Sequence, residues 1–339
     1  MKIAIIGTGS KDREKGGAEK FYLGLLAALK ELDAEVELLC PVSDESNFEK
    51  IMETYLMFYD LDLSRFDGVI STKAPAFVIR HPNHICYLQH TMRVFYDMFD
   101  VEFPNPGKDF IEQREFIINL DRAALQYPRT KKVFVIGNEV KNRLLIYNHL
   151  ESMVLYQGLL NEGFKEGSFE YLFMPGRLHR WKRVDLVIES MRYVKSPVPL
   201  LISGAGEDED KFKKTAEGDS RIKFLGRVSD EKLISLYTDA LCVPFVQIHE
   251  DFGLITIEAF RSGKPVITCS DSGEPTYLVR NNVNGFVCNP DPREIAEKID
   301  YLFLHPDKAK EMGEQGKSAT QNITWKATAE KLLTALKNQ

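Results

Sequence analysis

Two glutamates, Glu250 and Glu258, bracket a glycine at position 253 and have the chemistry to bind a ligand together. If a helix begins near Gly253, Glu250 lies in the loop before it and Glu258 lies just over one turn inside it. The N-terminus of a helix presents unpaired backbone N–H groups that attract phosphate, and carboxylates accept hydrogen bonds from sugar hydroxyls. A phosphorylated sugar would use both kinds of group at once.

Helix capping explains the same two acids without any ligand. An acidic residue at the start of a helix opposes the helix dipole and stabilises the helix by about 0.3–1 kcal/mol. Taken alone, Glu250 and Glu258 are better explained as caps than as ligand-binding groups. The choice between the two interpretations therefore depends on the elements that position these acids.

Length and composition indicate a folded, water-soluble protein of two domains. The chain has 339 residues, of which 44% are apolar and 28% are charged, and a single core rarely extends over that length. The net charge of -6 argues against nucleic-acid binding, which needs clustered Lys and Arg. Residues 1–160 hold 19 Lys and Arg against 23 Asp and Glu, which does not favour strong docking on anionic membranes.

The termini and the cysteines indicate a cytoplasmic protein. No apolar run reaches the length of a membrane span, and residues 1–7 have the pattern of a strand rather than of a signal peptide. The five cysteines are far apart and without paired spacing, so we predict reduced, buried thiols and no disulfide or metal site. Asp60 and Asp62 form an Asp-x-Asp pair, but no predicted strand precedes them and we do not assign them a metal.

Short apolar runs alternate with helical patterns along the whole chain, which is typical of parallel sheets with crossover helices. Strands are predicted at 2–6, 35–40, 68–71, 84–88, 132–136, 171–174, 199–203, 222–225, 240–244, 265–269 and 285–288. Helices are predicted at 17–32, 110–126, 139–148, 184–193, 230–237, 254–262 and 292–304. A polar, glycine-containing stretch at 158–167 is the candidate linker.

The predicted fold class is α/β, with two Rossmann-like doubly wound domains at residues 1–160 and 161–320. Residues 321–339 are predicted to form a C-terminal helix, for which packing back on the first domain is one arrangement. Ligands of open α/β sheets bind beyond the carboxyl ends of the strands. We therefore expect the two domains to face each other across a cleft, with residues that follow strand ends lining it.

Segments after the predicted strands carry a family resemblance. In the second half they are 176–182, 203–207, 226–228, 250–258 and 263–267, and in the first half they are 16–19, 89–93 and 136–140. Their order and spacing resemble the retaining GT-B glycosyltransferases of the GT4 family, most strongly in the second half. Residues 87–97 are similar to mannosyltransferase members, and 324–326 before an amphipathic helix are also typical. Each motif alone is weak, whereas the ordered combination is specific.

The resemblance implies roles for individual side chains. Arg177 and Lys182 would bind the donor's phosphates and stabilise the departing nucleoside diphosphate. Glu250 would hold hydroxyls of the transferred sugar, and Glu258 would accept hydrogen bonds from the ribose. His90 would face the sugar and the reaction centre; without the resemblance, a lone histidine at a strand end is more often structural.

Further donor contacts are implied at glycines and at positions where the backbone is exposed. These positions are Gly16, Gly17, Gly204, Val228, Gly253, Leu254 and Ile255. Two departures from the family pattern stand out. Tyr277 occupies the place of a usual acid, which puts any role of that acid in doubt, and Arg183 replaces the usual glycine after Lys182.

The function implied is a retaining, metal-independent hexosyltransferase without a cofactor, acting in glycan, glycolipid or polysaccharide biosynthesis. Its partners would be a nucleotide diphosphate sugar and a glycan or lipid-linked acceptor, with peripheral association at the inner membrane face left open. GDP-mannose is the first choice of donor, and a UDP-sugar is the alternative. A non-catalytic nucleotide-sugar-binding protein is a further alternative. A dinucleotide-dependent oxidoreductase is disfavoured because Asp12 stands where the third glycine after Gly7 and Gly9 is needed.

Overall fold

The computed structural model describes residues 1–9 and 17–337, except for the side chains of residues 17–19. The chain divides into two compact units, one formed by residues 1–160 with 323–339 and the other by residues 161–322. In the described part of the chain each unit contains a six-stranded parallel sheet with helices packed against it. The predicted α/β class with two Rossmann-like sheets is therefore confirmed.

The sheet of the first unit has the order β2-β1-β3-β4-β5-β6. Its strands are β1 (Lys2–Ile6), β2 (Glu35–Leu39), β3 (Gly68–Ser71), β4 (His84–Leu88), β5 (Lys132–Val135) and β6 (Met153–Val154). Its helices up to residue 160 are α1 (Gly17–Glu31), α2 (Phe48–Tyr59), α3 (Phe99–Glu102), α4 (Lys108–Leu125) and α5 (Asn138–Arg143). The central strands are almost completely buried, as expected for a parallel sheet covered on both faces.

The sheet of the second unit has the order β12-β11-β10-β7-β8-β9. Its strands are β7 (Tyr171–Pro175), β8 (Leu200–Ser203), β9 (Ile222–Gly226), β10 (Ala240–Pro244), β11 (Val266–Cys269) and β12 (Gly285–Cys288). Its helices are α6 (Val184–Met191), α7 (Glu209–Thr215), α8 (Asp230–Thr238), α9 (Leu254–Arg261), α10 (Pro275–Leu278), α11 (Pro292–Leu304) and α12 (Pro306–Thr320). The chain enters at β7, adds β8 and β9 on one side, and returns to place β10 on the other.

The last helix, α13 (Trp325–Lys337), belongs to the first unit. The ring centroids of Trp325 and Phe21 lie 5.3 Å apart, and the two rings pack edge to face. Near the other end of α13, the Asn83 side chain donates a hydrogen bond to the Leu336 carbonyl at 3.1 Å. The chain therefore leaves the first unit at residue 160 and returns to it at residue 323.

Two helices differ from the sequence-based expectation. Helix α12 was not predicted because it is polar and contains two glycines, yet those glycines let it pack closely on its neighbours. A Cβ on Gly313 would lie 1.8 Å from the Gly263 carbonyl oxygen, and one on Gly316 would meet the Phe260 ring. The helix predicted at 139–148 is α-helical only to Arg143, and the last five residues, Leu144–Asn148, form a π-helix.

None of the helices in the described residues is both long and apolar enough to cross a membrane. Four of the cysteines, Cys86, Cys242, Cys269 and Cys288, are buried. Burial raises the pKa of the Cys86 thiol to about 12.

A buried acid in the first unit makes stability depend on pH. The Asp121 carboxylate accepts hydrogen bonds from the hydroxyls of Tyr55 at 2.6 Å and Tyr96 at 2.7 Å. Burial raises the pKa of Asp121 from 3.8 to about 7. Between these values the folded state holds a proton that the unfolded state has lost, so stability falls as pH rises through this window.

We predict that Asp121→Asn flattens this dependence, because an amide keeps hydrogen bonds to both tyrosines and does not ionise. Unfolding by urea would be followed at several pH values in a Trp181→Phe background, where Trp325 is the remaining tryptophan and reports on the first unit. Asp62→Asn, at an exposed acid, is the control. Equal pH slopes in Asp121→Asn and its parent would contradict the prediction.

Candidate functional site

The second unit has a topological switch point between β7 and β10, which pair in parallel although β8 and β9 lie between them in sequence. The loops that follow these two strands diverge to opposite sides and leave a crevice, where open α/β sheets bind their ligands. The loop after β7 carries Arg177 and Lys182, and the loop after β10 carries Glu250 and Gly253. Four of the predicted site residues thus lie on the two loops that border this crevice.

Lys182 and Glu250 form an ion pair across the switch point. The Lys182 ammonium lies 2.8 Å from a Glu250 carboxylate oxygen, and their side chains are 29% and 22% exposed. The same ammonium also donates to the side-chain carbonyl of Gln247. Since the Ile248 amide donates to the Trp181 carbonyl at 3.0 Å, the two loops are joined through their backbones as well.

Helix α9 begins at Leu254 as predicted, and Gly253 is its N-cap residue. Gly253 has a left-handed backbone, with φ 76° and ψ 51°, which glycine adopts without strain. No side chain of Gly253 is available to cap the helix, so the first-turn N–H groups of Leu254 and Ile255 face the position where an anion binds best. Glu250 precedes this helix end, and Lys182 brings a positive charge to Glu250.

Glu258 is a buried acid rather than an exposed helix residue. Its side chain is 8% exposed, and one carboxylate oxygen accepts a hydrogen bond of 2.7 Å from the hydroxyl of Tyr237. Burial, and then the charge of Glu258, raises the pKa of Tyr237 well above 10, so this tyrosine remains a hydrogen-bond donor at all ordinary pH values. Helix capping therefore does not explain Glu258, because the carboxylate lies inside α9 and is oriented by α8.

Arg177 makes a different ion pair. Its guanidinium lies 3.2 Å from the carboxylate of Glu207, which follows β8, and the His179 ring lies 3.4 Å from the same carboxylate. Hydrogen bonding to its own backbone amide, and then the charge of Arg177, holds the pKa of Glu207 below its usual range. Arg177 is 68% exposed, so this pair is open to water and to competing anions.

Gly204 and Val228 lie after β8 and β9. A Cβ on Gly204 would lie 1.8 Å from the Gly176 carbonyl oxygen, so only glycine allows the loops after β7 and β8 to approach this closely. Val228 packs partly against the core of the unit. Both positions have a structural reason for their residue type, in addition to the donor contact that the resemblance implies.

The remaining predicted positions belong to the first unit. His90 follows β4, and its Nδ1 lies 2.9 Å from the Thr91 carbonyl oxygen. The neighbouring side chains of Gln89 and Thr91 are buried, and neither Gln89 Oε1 nor Thr91 Oγ1 has a hydrogen-bond partner among the described residues. Gly17 begins α1, whereas Gly16 lies outside the described residues.

Within residues 1–9 and 17–337, no group of three or more His, Cys, Asp or Glu side chains is arranged to hold a metal ion. In the Asp-x-Asp pair, Asp62 accepts hydrogen bonds from the amide and hydroxyl of Ser64.

Three polar residues of the site were missed from the sequence. Gln247 was detectable, because it is a polar residue in the apolar stretch after β10. Glu207 lies in the segment 203–207 of the resemblance but had no role assigned to it, and Asp271 gave no signal, because its partner Arg183 is 88 residues away. Tyr277, which replaces the usual acid, is 51% exposed in the short helix α10.

The two parallel-sheet units have the GT-B fold, which the similar solved structures of glycosyltransferases share. Residues 159–319 form a segment that matches the model of the family described as glycosyl transferases group 1. It contains β7 to β12 and all of the site residues in the second unit.

Similar proteins agree with this class. The mouse alpha-1,3/1,6-mannosyltransferase ALG2 is 27% identical over 169 residues, which are 44% of this chain and 40% of that protein. The chain thus matches less than half of the length of this relative. The structure of WaaG, a glycosyltransferase involved in lipopolysaccharide biosynthesis, matches 99% of this chain and 100% of its own with a TM-score of 0.74 and 15% identity. Anabaena HepE, in complex with UDP and glucose, matches 100% of both chains with a TM-score of 0.72 and 15% identity.

We predict that Tyr237→Phe destabilises the second unit by about 1.5–3 kcal/mol, because it removes a hydrogen bond to a buried charged group. Tyr171→Phe is the matched control, since the Tyr171 hydroxyl donates to the neutral Leu236 carbonyl. Urea unfolding would be measured in a Trp325→Phe background, where Trp181 is the remaining tryptophan and reports on the second unit. A cost for Tyr237→Phe no greater than that for Tyr171→Phe would show that Glu258 does not depend on Tyr237.

Proposed function

We propose that the protein is a retaining glycosyltransferase that moves a hexose from a nucleotide diphosphate sugar to an acceptor hydroxyl. The observation that carries the proposal is the Lys182–Glu250 pair at the switch point of the second unit, beside the N-terminus of α9. An ammonium, a carboxylate and a row of backbone N–H groups together suit a ligand that has both phosphate and hydroxyl groups. The family of residues 159–319 supports the same reaction class.

In this proposal the leaving phosphate is stabilised by Lys182, Arg177 and the start of α9. Negative charge develops on the phosphate as the bond to the sugar breaks, and fixed cations lower the barrier most at that point. The diphosphate replaces Glu207 as the partner of Arg177. Because the Arg177–Glu207 pair is exposed, its loss costs little, within about 1 kcal/mol.

Glu250 and Glu258 would bind two different parts of the donor. Glu250 accepts hydrogen bonds from the hydroxyls of the sugar, and Glu258 accepts hydrogen bonds from the ribose. The Tyr237 hydroxyl holds one oxygen of Glu258 in place, so the carboxylate does not lose side-chain entropy when the ribose binds. For His90 we keep the role that the resemblance implies, a contact with the sugar or the reaction centre.

Retention of configuration requires no protein nucleophile in this proposal. The bond between the anomeric carbon and the donor phosphate breaks, and a bond from the anomeric carbon to the acceptor oxygen forms on the same face. The acceptor's proton goes to the departing phosphate. We propose that the transfer needs no metal ion, because Lys182, Arg177 and the N-terminus of α9 supply the positive charge.

GDP-mannose is the first choice of donor, and similarity to a mannosyltransferase supports the mannosyl group. A UDP-sugar is the alternative, supported by a structural neighbour that holds UDP and glucose. For the acceptor we propose a glycan or a lipid-linked glycan of a biosynthetic pathway for glycans, glycolipids or polysaccharides. Work at the cytoplasmic face of the inner membrane would suit such an acceptor.

We predict that one class of nucleotide sugar raises the melting temperature of the protein, and that Glu258→Ala weakens this binding roughly tenfold or more because the ribose loses charge-assisted hydrogen bonds. Thermal shift with GDP-, UDP-, ADP- and dTDP-sugars, followed by titration calorimetry of the best donor, measures both effects. Glu231→Ala, at an exposed acid, is the control. Stabilisation by NAD and by none of the sugar nucleotides would overturn the proposed function.

Lys182→Ala should lower kcat by about a hundredfold or more, because it removes the cation closest to the leaving phosphate. Release of the free nucleoside diphosphate in the presence of an acceptor extract measures turnover. Arg180 is an exposed cation in the same 3-10 helix as Lys182, which spans Arg180–Lys182. Arg180→Ala therefore tests whether any positive charge in this loop suffices. Normal turnover in Lys182→Ala would contradict its assignment. Donor binding by the wild type without transfer to any acceptor would support a nucleotide-sugar-binding protein instead.

A further inference from the structure

Arg183 has a backbone conformation that arginine rarely adopts. It lies between the short 3-10 helix Arg180–Lys182 and the helix α6, with φ 47° and ψ 44° in the left-handed region. A side chain with a Cβ is disfavoured there, and glycine is the residue that fits without strain. An arginine at this position therefore needs contacts of its side chain that offset the strain.

The Arg183 guanidinium makes those contacts on two other loops. Its two terminal nitrogens donate to the two carboxylate oxygens of Asp271 at 2.8 and 2.7 Å, which is a bidentate ion pair. Its Nε donates to the Val246 carbonyl at 2.6 Å, and a terminal nitrogen donates to the Gln247 carbonyl at 3.2 Å. Lysine has three donors on one nitrogen and no planar fork, so it cannot make these four hydrogen bonds at once.

These contacts lead directly to the Lys182–Glu250 pair. Arg183 follows Lys182 in the chain, and the Gln247 residue whose carbonyl it holds is the one whose side chain accepts from the Lys182 ammonium. On the other side, the Asp271 carbonyl accepts a hydrogen bond of 3.0 Å from the His249 amide. One guanidinium therefore joins the loops after β7, β10 and β11.

The loop after β11 in turn fixes the backbone of Glu250. The Glu250 amide donates to the Ser272 carbonyl at 2.9 Å, and the Glu250 carbonyl accepts from the Glu274 amide at 2.8 Å. Gly273 makes this approach possible, because a Cβ at this position would lie only 2.6 Å from the backbone carbonyl oxygen of Glu250, which is too close for any other residue. Both the backbone N–H and the backbone carbonyl of Glu250 are thus held by residues that follow Asp271 in the same loop.

We propose that Arg183 and Asp271 are positioning residues, which hold Lys182 and Glu250 at their mutual distance and so orient both toward the donor. The proposal deepens the proposed function and rests on it for its catalytic part. Its structural part, that the Arg183–Asp271 pair immobilises Lys182, is independent of any donor. A purely conformational role for residue 183 predicts the opposite behaviour, because glycine would then serve as well as arginine or better.

The structural part is tested by the reactivity of Lys182 toward an amine-selective ester, measured by mass spectrometry at short reaction times. We expect Arg183→Gly and Asp271→Ala each to raise the labelling rate of Lys182 severalfold, since its ammonium becomes mobile. Lys211, which is exposed and ion-paired with Asp185, is the internal control and should not change. Unchanged labelling of Lys182 in both variants would overturn the proposal.

The catalytic part is tested with the donor that the thermal-shift screen selects. We expect Arg183→Gly and Asp271→Ala to lower kcat roughly ten- to a hundredfold, because misplaced groups lose transition-state stabilisation, while donor affinity changes far less. The double variant should be no slower than the slower single variant, since both changes break one pair. Arg183→Lys should recover part of the loss, because its ammonium can reach Asp271 but not the two carbonyls.

The outcomes separate this inference from the proposed function. A wild-type protein that binds no nucleotide sugar, but whose Lys182 labelling rises in Arg183→Gly, overturns the proposed function and keeps the pair as a structural clamp. A wild-type enzyme that transfers sugar, with full kcat and a higher melting temperature in Arg183→Gly, overturns the inference and keeps the function. Loss of melting temperature in step with kcat in all variants, without a change in labelling, would also overturn it.

Discussion

The parallel pairing of β7 with β10 is the constraint on which the second unit depends. These strands are neighbours in the sheet, whereas β8, β9 and their helices intervene in the chain. A parallel sheet presents all its carboxyl ends at one edge, so the loops after β7 and β10 emerge side by side and diverge. Lys182 and Glu250, 68 residues apart, meet because of this pairing.

The loops at this edge are held by polar contacts in addition to the apolar packing of Leu178 and Val246 in the core. Arg183 donates four hydrogen bonds to one acid and two carbonyls, and Gly273 admits the backbone of Glu250 at close range. Such contacts are directional, since a hydrogen bond weakens steeply when its angle departs from linear. A loop built in this way holds a charged side chain at a defined place, which apolar contacts alone would do less well.

Charge in the site is balanced locally. Lys182 is paired with Glu250, Arg177 with Glu207, and Arg183 with Asp271. The three pairs differ in exposure, and the Arg177–Glu207 pair is the most open to water. A phosphate that enters the site therefore competes with acids that differ in how firmly they hold their partners, and Glu207 is the one most readily replaced.

One buried acid of the first unit behaves differently. Asp121 accepts hydrogen bonds from two tyrosine hydroxyls, and burial raises its pKa to about 7, which contrasts with the ion-paired acids of the site. Burial has the largest effect on this pKa, and the hydrogen bonds from Tyr55 and Tyr96, which favour the charged form, offset it only in part. The same residue type thus stabilises a core in one unit and, as Asp271, orders a set of loops in the other.

The sequence by itself determined the fold class, nearly all strands, and the local arrangement at α9. Apolar runs and helical periods are local properties, and the spacing of Glu250, Gly253 and Glu258 along one loop and one helix needs no tertiary knowledge. Helix α12 was not predicted, because the reason for its two glycines is their close contact with neighbouring residues, which the sequence does not show. Only the tertiary structure decided which charges meet, that Tyr237 orients Glu258, and that Arg183 reaches Asp271. The physical reason is that such contacts depend on strand order, which joins loops far apart in the chain and leaves no period in the sequence.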